Sequence, residues 1–498
     1  MPAISGQYSA LICADREDAA RTAIAREQAV PSASLLLFGR GVDHCLITST
    51  QDSTALPAGD HDPWTLMAHA NRLVADADDM LALLAAASGR EVSDPITGRQ
   101  LDSCRLRRDL VAQIDAWDYA DPFTGKTIDA IEWIEILGDW RAQIDANRAL
   151  SHAIGIRGWK TKSLSRFLWA DRPPRLSLTT HRSTTSDGKA IGIWPSRAPE
   201  GFARRADAAG QPLARIEDGF IRSIGLGAQL FPPCSIVIDM AGIYYDPSGP
   251  SDLERILSTA DFQPQLIERA DALTRLLVRG GVTKYAAQKA GAVDLPSGVR
   301  RILVPGQVAD DLSVRLGASS AAGNLDLLRR ARAAEPNAWI VYRPHPDVST
   351  GLRKGHVGDR EALRYADQIV RDGSIAALLD RVECVHTLTS LAGFEALLRG
   401  CQVVTHGQPF YAGWGLTEDL APPIERRTRR LALLELVAGT LILYPRYVDP
   451  ATGLPCSPEI LVQRHLAGWK PRSTILSRLR GLQGKAVVAG RRLAGAAA

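Results

Sequence analysis

Three segments place acidic, basic and hydroxyl residues directly after runs of strand-type sequence. In RIEDGFIRSIGLG, residues 215–227, Glu217 and Asp218 follow such a run. Adjacent carboxylates at a strand end can supply a general base or a nucleophile; the ordinary alternative is an Asp-Gly turn. Arg222 and Ser223, a little further on, suit a carboxylate ligand, because a guanidinium can hold one through two parallel bonds. In VYRPHPDV a β-type run ends in Arg343, and Pro344 and Pro346 enclose His345. The prolines keep the loop from extending into helix and present the imidazole beyond the strand, where it can donate to a phosphate oxygen. A structural or idle loop histidine is the bland alternative.

The third segment is HTLTSLAGFEALLRGCQVVTHG, residues 386–407. A strand ending at His386, the hydroxyls of Thr389 and Ser390 and a helix starting near Leu391 make a phosphate cradle from unpaired N–H groups and the helix dipole. Glu395, one turn on, is placed to reach ribose hydroxyls. An N-cap with an incidental glutamate is the ordinary alternative.

Such residues need sheets that bring them to one level. From Ala190 the runs AIGIW, LARIE, SIVID, RILVPG, WIVYRP, VECVH and QVVTHG alternate with helical stretches. The rhythm predicts an α/β fold with parallel sheets, whose ligands bind beyond the carboxyl ends of the strands. A chain of 498 residues exceeds one hydrophobic core. The break at AGAVDLPSGVR, around residues 290–300, therefore reads as the boundary between two lobes with a nucleotide in their cleft. The predicted organisation is a degenerate half-module at 1–120, a helical brace at 121–185, a first lobe with the acidic loop at 186–296, a nucleotide-binding lobe at 297–450 and a helical basic tail at 451–498.

The half-module reading rests on an internal repeat. Aligning Gly89 with Gly400 sets RLVADADDMLALLAAASGREV beside ECVHTLTSLAGFEALLRGCQV without a gap. Asp78 and Asp79 then stand where the later copy has Thr389 and Ser390, and carboxylates there would repel phosphate. Chance similarity between two Ala/Leu-rich helices is the alternative.

Net charge of only +4 excludes polyanion binding by the whole chain, so no nucleic-acid partner is expected. The seven cysteines show no CxxC pair and no Cys/His ligand spacing, so neither disulfides nor a metal are expected. Acid and arginine interrupt the first residues before any apolar run of signal-peptide length, which predicts a protein that is cytoplasmic or held peripherally on the inner membrane. The acid-free tail, with Lys470, Arg472, Arg478, Arg480, Lys485, Arg491 and Arg492, reads as a lipid-adsorbing amphipathic segment or a frayed terminus. The run Arg426, Arg427, Arg429 and Arg430 reads as a solvated loop or as a face toward lipid phosphates.

Together the three segments resemble the short motifs of bacterial sialyltransferases. Taken in order, EDGFIRSIGLG, SIVIDMAGIYYDPSGPSDLERIL, VPGQVADD, RPHPDV, TSLAGFEALLRG and QPFYAGWGLTED look more specifically like the capsular polysaccharide β-Kdo transferases of the KpsC type, over roughly residues 120–460. The resemblance implies a GT-B-like two-lobed, Rossmann-type glycosyltransferase. It implies CMP-Kdo as donor with no further cofactor, a Kdo-primed glycolipid acceptor, retention at the anomeric carbon, and capsule assembly proteins at the inner membrane as partners. Retention by double displacement needs a carboxylate at the anomeric centre. Asp218 is the candidate nucleophile, with Glu217 able to share or exchange that role, and a base role for the acid stays open. His345, Thr389 and Ser390 would steady the leaving CMP. Gln307 would contact cytosine or phosphate, a plain loop amide being the alternative, and Arg222, Arg343 and Lys284 would face the sugar carboxylate. Tyr411 and Trp414 would line a sugar, with a place in the core as the commoner alternative for aromatic residues. The family typically carries two transferase modules, whereas this chain has one intact module. The rival expectations are a non-catalytic assembly or export protein on the same fold and a nucleotide-sugar enzyme such as an epimerase.

Overall fold

Leu35–Leu37 and Ile302–Val304 are apolar at every position, which a strand tolerates only when both of its faces are covered. All six are fully buried. The computed structural model describes the chain except for residues 1–6, 31–33, 40–52, 57–61, 157, 171, 179–183, 186, 223–231, 284–293, 319–320, 322, 350–352 and 470–498. It divides into two units, residues 1–134 and 135–498.

In the first unit β1 (Ala10–Cys13), β2 (Leu35–Phe38), β3 (Ser53–Ala55), β4 (Arg72–Val74) and β5 (Glu91–Ser93) form one sheet in the order β3-β2-β1-β4-β5. All its pairings are parallel, and separate apolar clusters cover its two faces. A short antiparallel hairpin follows, β6 (Tyr119–Ala120) with β7 (Thr127–Ile128).

The second unit holds two sheets. β8 (Leu150–Ile154), β9 (Arg175–Leu176), β10 (Ala190–Ile193), β11 (Leu213–Asp218) and β12 (Ser235–Asp239) belong to the first. β13 (Arg301–Pro305), β14 (Trp339–Arg343), β15 (Gln368–Ile369), β16 (Cys384–Thr387), β17 (Gln402–Thr405) and β18 (Glu418–Asp419) form the second, parallel throughout, in the order β15-β14-β13-β16-β17-β18. The chain then returns to the first sheet with β19 (Arg446–Val448) and β20 (Pro455–Cys456), completing the order β20-β19-β12-β11-β10-β8-β9. Pairing there is parallel from β8 to β11 and antiparallel from β12 onward. One apolar cluster draws on both halves of the unit, with Phe220 and Val237 on the first side and Val341, Phe394 and Phe410 on the second. The Phe220 and Phe410 rings meet at 4.8 Å between centroids.

All seven strand-type runs read from the sequence are strands. Three expectations are corrected. The segment 121–185 is not a purely helical brace: helices Ala130–Asn147 and Gly158–Phe167 form, but β8 and β9 join the first sheet. Ser151 and His152 break up the apolar pattern of β8, so pairing with β10 decides its state where local sequence does not. The segment 297–450 is not all second lobe, because β19 pairs with β12. The segment after 450 begins with β20 and the helix Pro458–Leu466, and its cations from Lys470 onward lie outside the described residues. The expected break at 290–300 falls between the helix Pro264–Arg279 and β13, with residues 284–293 outside the described ones. No helix among the described residues is long and apolar enough to cross a membrane.

The internal repeat corresponds element for element. Its register sets the helix Met80–Ala87 on the helix Leu391–Leu397, and β4 and β5 on β16 and β17, in sheets of matching order. Asp79 caps the first helix by accepting from Leu81 N, as Ser390 caps the second by accepting from Ala392 N. Both helices end the same way. Gly89 and Gly400 have φ of 78° and 74°, and the next residues, Arg90 and Cys401, donate back to Ala85 O and Ala396 O. A side chain at either glycine would meet nothing within 4 Å, so the conformation alone requires glycine. Gly89→Ala and Gly400→Ala are each expected to destabilise their own unit by about 1–2 kcal/mol, with asparagine costing less than alanine. Denaturant melts of the full chain check this.

Candidate functional site

Between the two sheets of the second unit lies a cleft of about 630 Å³, within the range of small-molecule sites, about 300–1,000 Å³. It collects nine of the ten residues singled out from the sequence: Glu217, Asp218, Arg222, Gln307, Arg343, His345, Thr389, Ser390 and Glu395 all line it. The tenth, Lys284, lies outside the described residues, as does Ser223.

Asp218 is the last residue of β11. The turn after it is tight because Gly219 passes close to β12, where a Cβ would stand 2.4 Å from Ser235 Oγ. The glycine of EDG thus answers a close approach as well as a turn. Two cations meet the Asp218 carboxylate. Arg222 Nε donates to Oδ2, and the Lys160 ammonium stands 3.5 Å from Oδ1. Lys160 also lies over the Trp194 indole, 3.5 Å from its centroid, which favours the cation through the ring quadrupole. Burial pulls the Lys160 ammonium below the usual lysine range, opposed by the attraction of Asp218. Glu217 turns its carboxylate back to accept from Asp218 N at 3.1 Å.

In the second lobe Arg343 is 6% exposed at the end of β14. Its guanidinium donates to Asp372 O and Gly373 O, at 3.0 and 2.6 Å, and burial lowers its affinity for the proton. Its hydrogen bonds go to carbonyls and no salt bridge pairs it among the described residues, so it attracts an anion entering the cleft. His345 accepts from Asp347 N through Nδ1 at 3.1 Å. A neutral imidazole in that arrangement carries its proton on Nε2 and is a donor there. Pro346, expected to block helix, instead starts the short helix Pro346–Ser349, because a first-turn residue needs no N–H partner.

The hydroxyl-rich loop departs from expectation in one respect. Its backbone donors are largely committed within the protein: Leu388 N and Thr389 N donate to Gln307 Oε1, and Ser390 N to Thr387 Oγ1. Gln307 Nε2 donates to Thr389 Oγ1 at 3.0 Å, so this amide joins β13 to the loop after β16. Thr389 Oγ1 and Ser390 Oγ each accept from the protein, which leaves their own protons to donate elsewhere. Glu395 sits one turn on, 8% exposed.

Two open readings are decided. Of the two places for Tyr411 and Trp414, the core is the one they take. Both are fully buried, Tyr411 donating to Ser390 O and Trp414 to Phe410 O, and Pro409 and Phe410 reach the cleft instead. The arginine run faces neither lipid nor bulk water alone. Arg426 and Arg427 share Glu254, Arg427 also holds Pro409 O and Ala412 O, and Arg429 binds Ala260 O and Glu435. Arg427 anchors the loop that carries Phe410.

Sequence reasoning missed Lys160, Trp194 and Tyr245. Lys160 belongs to the basic, aromatic stretch GIRGWKTKSLSRFLW, which was a visible signal. Tyr245 is 7% exposed on the cleft wall, and its hydroxyl has no hydrogen-bond partner among the described residues. It follows a turn fixed by Asp239, which accepts from Ala241 N, Gly242 N and Tyr444. Away from the cleft, folding brings together side chains that sequence spacing kept apart. Glu335, Cys384 and His386 offer atoms within 4.8 Å of one another, with Glu335 engaged by Arg300.

Residues 189–277 and 263–447 match the family described as capsule polysaccharide biosynthesis protein. The chain belongs to this family. It is 42% identical to the capsule polysaccharide modification protein LipA of Neisseria meningitidis over 352 residues, 69% of this chain and 49% of that protein. It is 39% identical to the lipopolysaccharide-processing protein LpsZ of Rhizobium meliloti over 312 residues, 60% of this chain and 70% of the other. The chain thus spans about half the length of LipA. Among solved structures it is similar to two described as Thermosulfurimonas dismutans KpsC, a beta Kdo 2,7 transferase (34% identity, TM-score 0.53, 64% of this chain and 99% of the other) and a beta Kdo 2,4 transferase (31%, 0.54, 63% and 98%). Family membership thus extends to the KpsC type, and the two-lobed arrangement of the second unit is the GT-B fold.

His386 and His406 sit beneath the loop that this capsule family member presents to its cleft, His386 Nδ1 lying 3.1 Å from His406 Nε2. Burial pushes both imidazoles down to about 4 from 6.5, with mutual repulsion adding at His386 and Arg330 adding at His406. The unfolded chain therefore binds more protons below pH 6.5. The stability held by the neutral pair is complete above that pH and is lost as pH falls toward about 4. The unfolding midpoint is expected to drop across that window, and His406→Gln to make the drop shallower. Thermal melts from pH 7 to 4 test it.

Proposed function

We propose that the chain is a retaining glycosyltransferase of capsule or surface polysaccharide assembly that moves Kdo from CMP-Kdo to a Kdo-bearing glycolipid. The observation that carries the reading is the meeting, in one cleft, of a strand-end carboxylate flanked by cations on the first lobe and a buried arginine with a donor histidine on the second. The likeness to the KpsC structures described as Kdo transferases supports the choice of sugar.

In this mechanism an Asp218 oxygen attacks the anomeric carbon of the donor. The bond from that carbon to the phosphate oxygen breaks, and CMP leaves with the electron pair. Arg343 and the His345 Nε2 proton meet the charge that grows on the phosphate, which is where preorganised donors lower a barrier most. An acceptor hydroxyl then attacks the same carbon from the side CMP left. It loses its proton to a base in the cleft, for which Glu217 is placed, and the bond to Asp218 breaks to restore the carboxylate. Two inversions give net retention. No metal is needed for a leaving group already ionised as a phosphate ester. Because the acceptor is lipid-linked, the reaction is placed at the cytoplasmic face of the inner membrane, beside other capsule assembly proteins.

Incubation of the purified chain with CMP-Kdo alone should yield a covalent sugar adduct in the intact mass, removed by a Kdo-primed acceptor. Asp218→Ala should lower turnover by about 10⁴-fold or more with CMP affinity nearly unchanged. His345→Ala should lower kcat by about 10²–10³-fold. An Asp218→Ala chain as active as the wild type would remove the nucleophile assignment.

A further inference from the structure

A carboxylate nucleophile aimed at a 2-keto-acid sugar faces a difficulty that a neutral sugar does not pose. The attacked carbon itself bears a carboxylate, so bond formation forces two anions together. Coulomb repulsion grows as the dielectric falls, and a cation between the two offsets it. Arg222 is held at Asp218 Oδ2 with 4% of its side chain exposed, deep in the wall. Lys160 occupies the other side. It stands in the first turn of the helix Gly158–Phe167, 3.5 Å from Oδ1 and 14% exposed, on the cleft surface. That separation is an ion-pair distance at the long limit of a hydrogen bond. Trp194, 5% exposed, backs the ammonium with its ring face. An ammonium offers three donors around one point charge, so it can serve two carboxylates at once, whereas the planar fork of arginine commits to one.

We propose that Lys160 binds the carboxylate of the acid sugar while keeping its contact with Asp218, and so acts as the donor-specificity residue of the cleft. This rests on the reading of the donor as a CMP-activated acid sugar and of Asp218 as nucleophile. The bridging cation places the sugar's anionic substituent on the Lys160 side of Asp218 and turns the anomeric carbon toward the nucleophile. A donor whose carboxylate is converted to a carboxamide loses that ionic contact. The segment read from sequence as a brace thereby contributes to recognition.

The test compares wild type, Lys160→Met, Lys160→Gln and Lys160→Arg as full-length chains. Calorimetry measures binding of CMP, of free Kdo and of its C1 carboxamide, and turnover of CMP-Kdo is followed separately. Wild type is expected to prefer the acid over the amide by about tenfold or more, the scale of one charge-assisted contact. Lys160→Met and Lys160→Gln are expected to lose that preference and about 10²-fold in kcat/KM, with CMP affinity within about twofold. Lys160→Arg is expected to restore acid preference but only part of the turnover. Should the methionine variant not fold, the glutamine and arginine chains carry the same comparison. Retention of acid preference in the neutral variants, or equal loss of CMP and acid binding, would overturn the assignment. A wild type that prefers the acid yet makes no adduct from CMP-Kdo removes the nucleophile reading while leaving Lys160 as the carboxylate site. A wild type indifferent to the carboxylate overturns the proposal.

Discussion

The carboxylate at the end of β11 sets the terms for the second unit. A mostly buried anion is tolerable only when opposite charge is supplied beside it, and Asp218 draws its two cations from different parts of the chain. Arg222 is local, four residues on in the same loop. Lys160 is not, and it reaches Asp218 only because β8 enters the sheet beside β10 and leads directly into the helix Gly158–Phe167. The packing of that segment and the charge balance of the cleft are thus one requirement. Gly219 belongs to it as well, since a side chain there would push β11 from β12 and move the carboxylate.

The opposite wall is built on a different principle. Where the first lobe pairs its charge, the second leaves Arg343 with carbonyl partners and spends its amide hydrogen bonds on rigidity. Asn324 accepts from Gln307 N and donates to Gln307 O, which fixes the backbone from which the Gln307 side chain reaches Thr389. The arrangement holds hydroxyls and imidazole in place before any ligand arrives, so little reorganisation is required when charge develops. The aromatic contact of Phe220 with Phe410 ties this wall to the acidic one, and the buried Arg427 holds Phe410's loop from behind.

Most strands and nearly all the polar residues of the cleft were legible in the sequence, for a physical reason. A parallel strand buried on both faces is a continuous apolar run, and functional residues follow it directly, so motif and element mark each other. What was not legible lacked one of those marks. β8 carries Ser151 and His152 in a short run, and only its neighbour makes it a strand. Lys160 lies on a helix, where a cation is ordinarily solvated, and the basic, aromatic stretch around it does not single it out from its neighbours. Tyr411 and Trp414 could have lined a sugar or joined the core, and the turns allowed by the glycines beside them direct both rings into the core and leave Phe410 on the cleft wall. The arginine run looked solvated because its partner, Glu254, is distant in sequence.

The two copies of the repeated sheet show how little must change to alter what a strand end can hold. Cap position, strand order and terminal glycine coincide between the helices Met80–Ala87 and Leu391–Leu397, and the caps do the same structural work with different chemistry. Ser390 is neutral and keeps a proton to donate. Asp79 is an acceptor that also takes the Cys13 thiol as a partner, and Asp76, Asp78 and Asp94 stand near it. Burial, followed by the charges of Asp78 and Asp94, raises the proton affinity of Asp76, as crowded carboxylates require. A phosphate brought to that strand end would meet a crowd of carboxylates, while the fold beneath it is intact. Backbone architecture and ligand chemistry are therefore separable in this chain: caps and glycines preserve the first, and single side chains at strand ends decide the second.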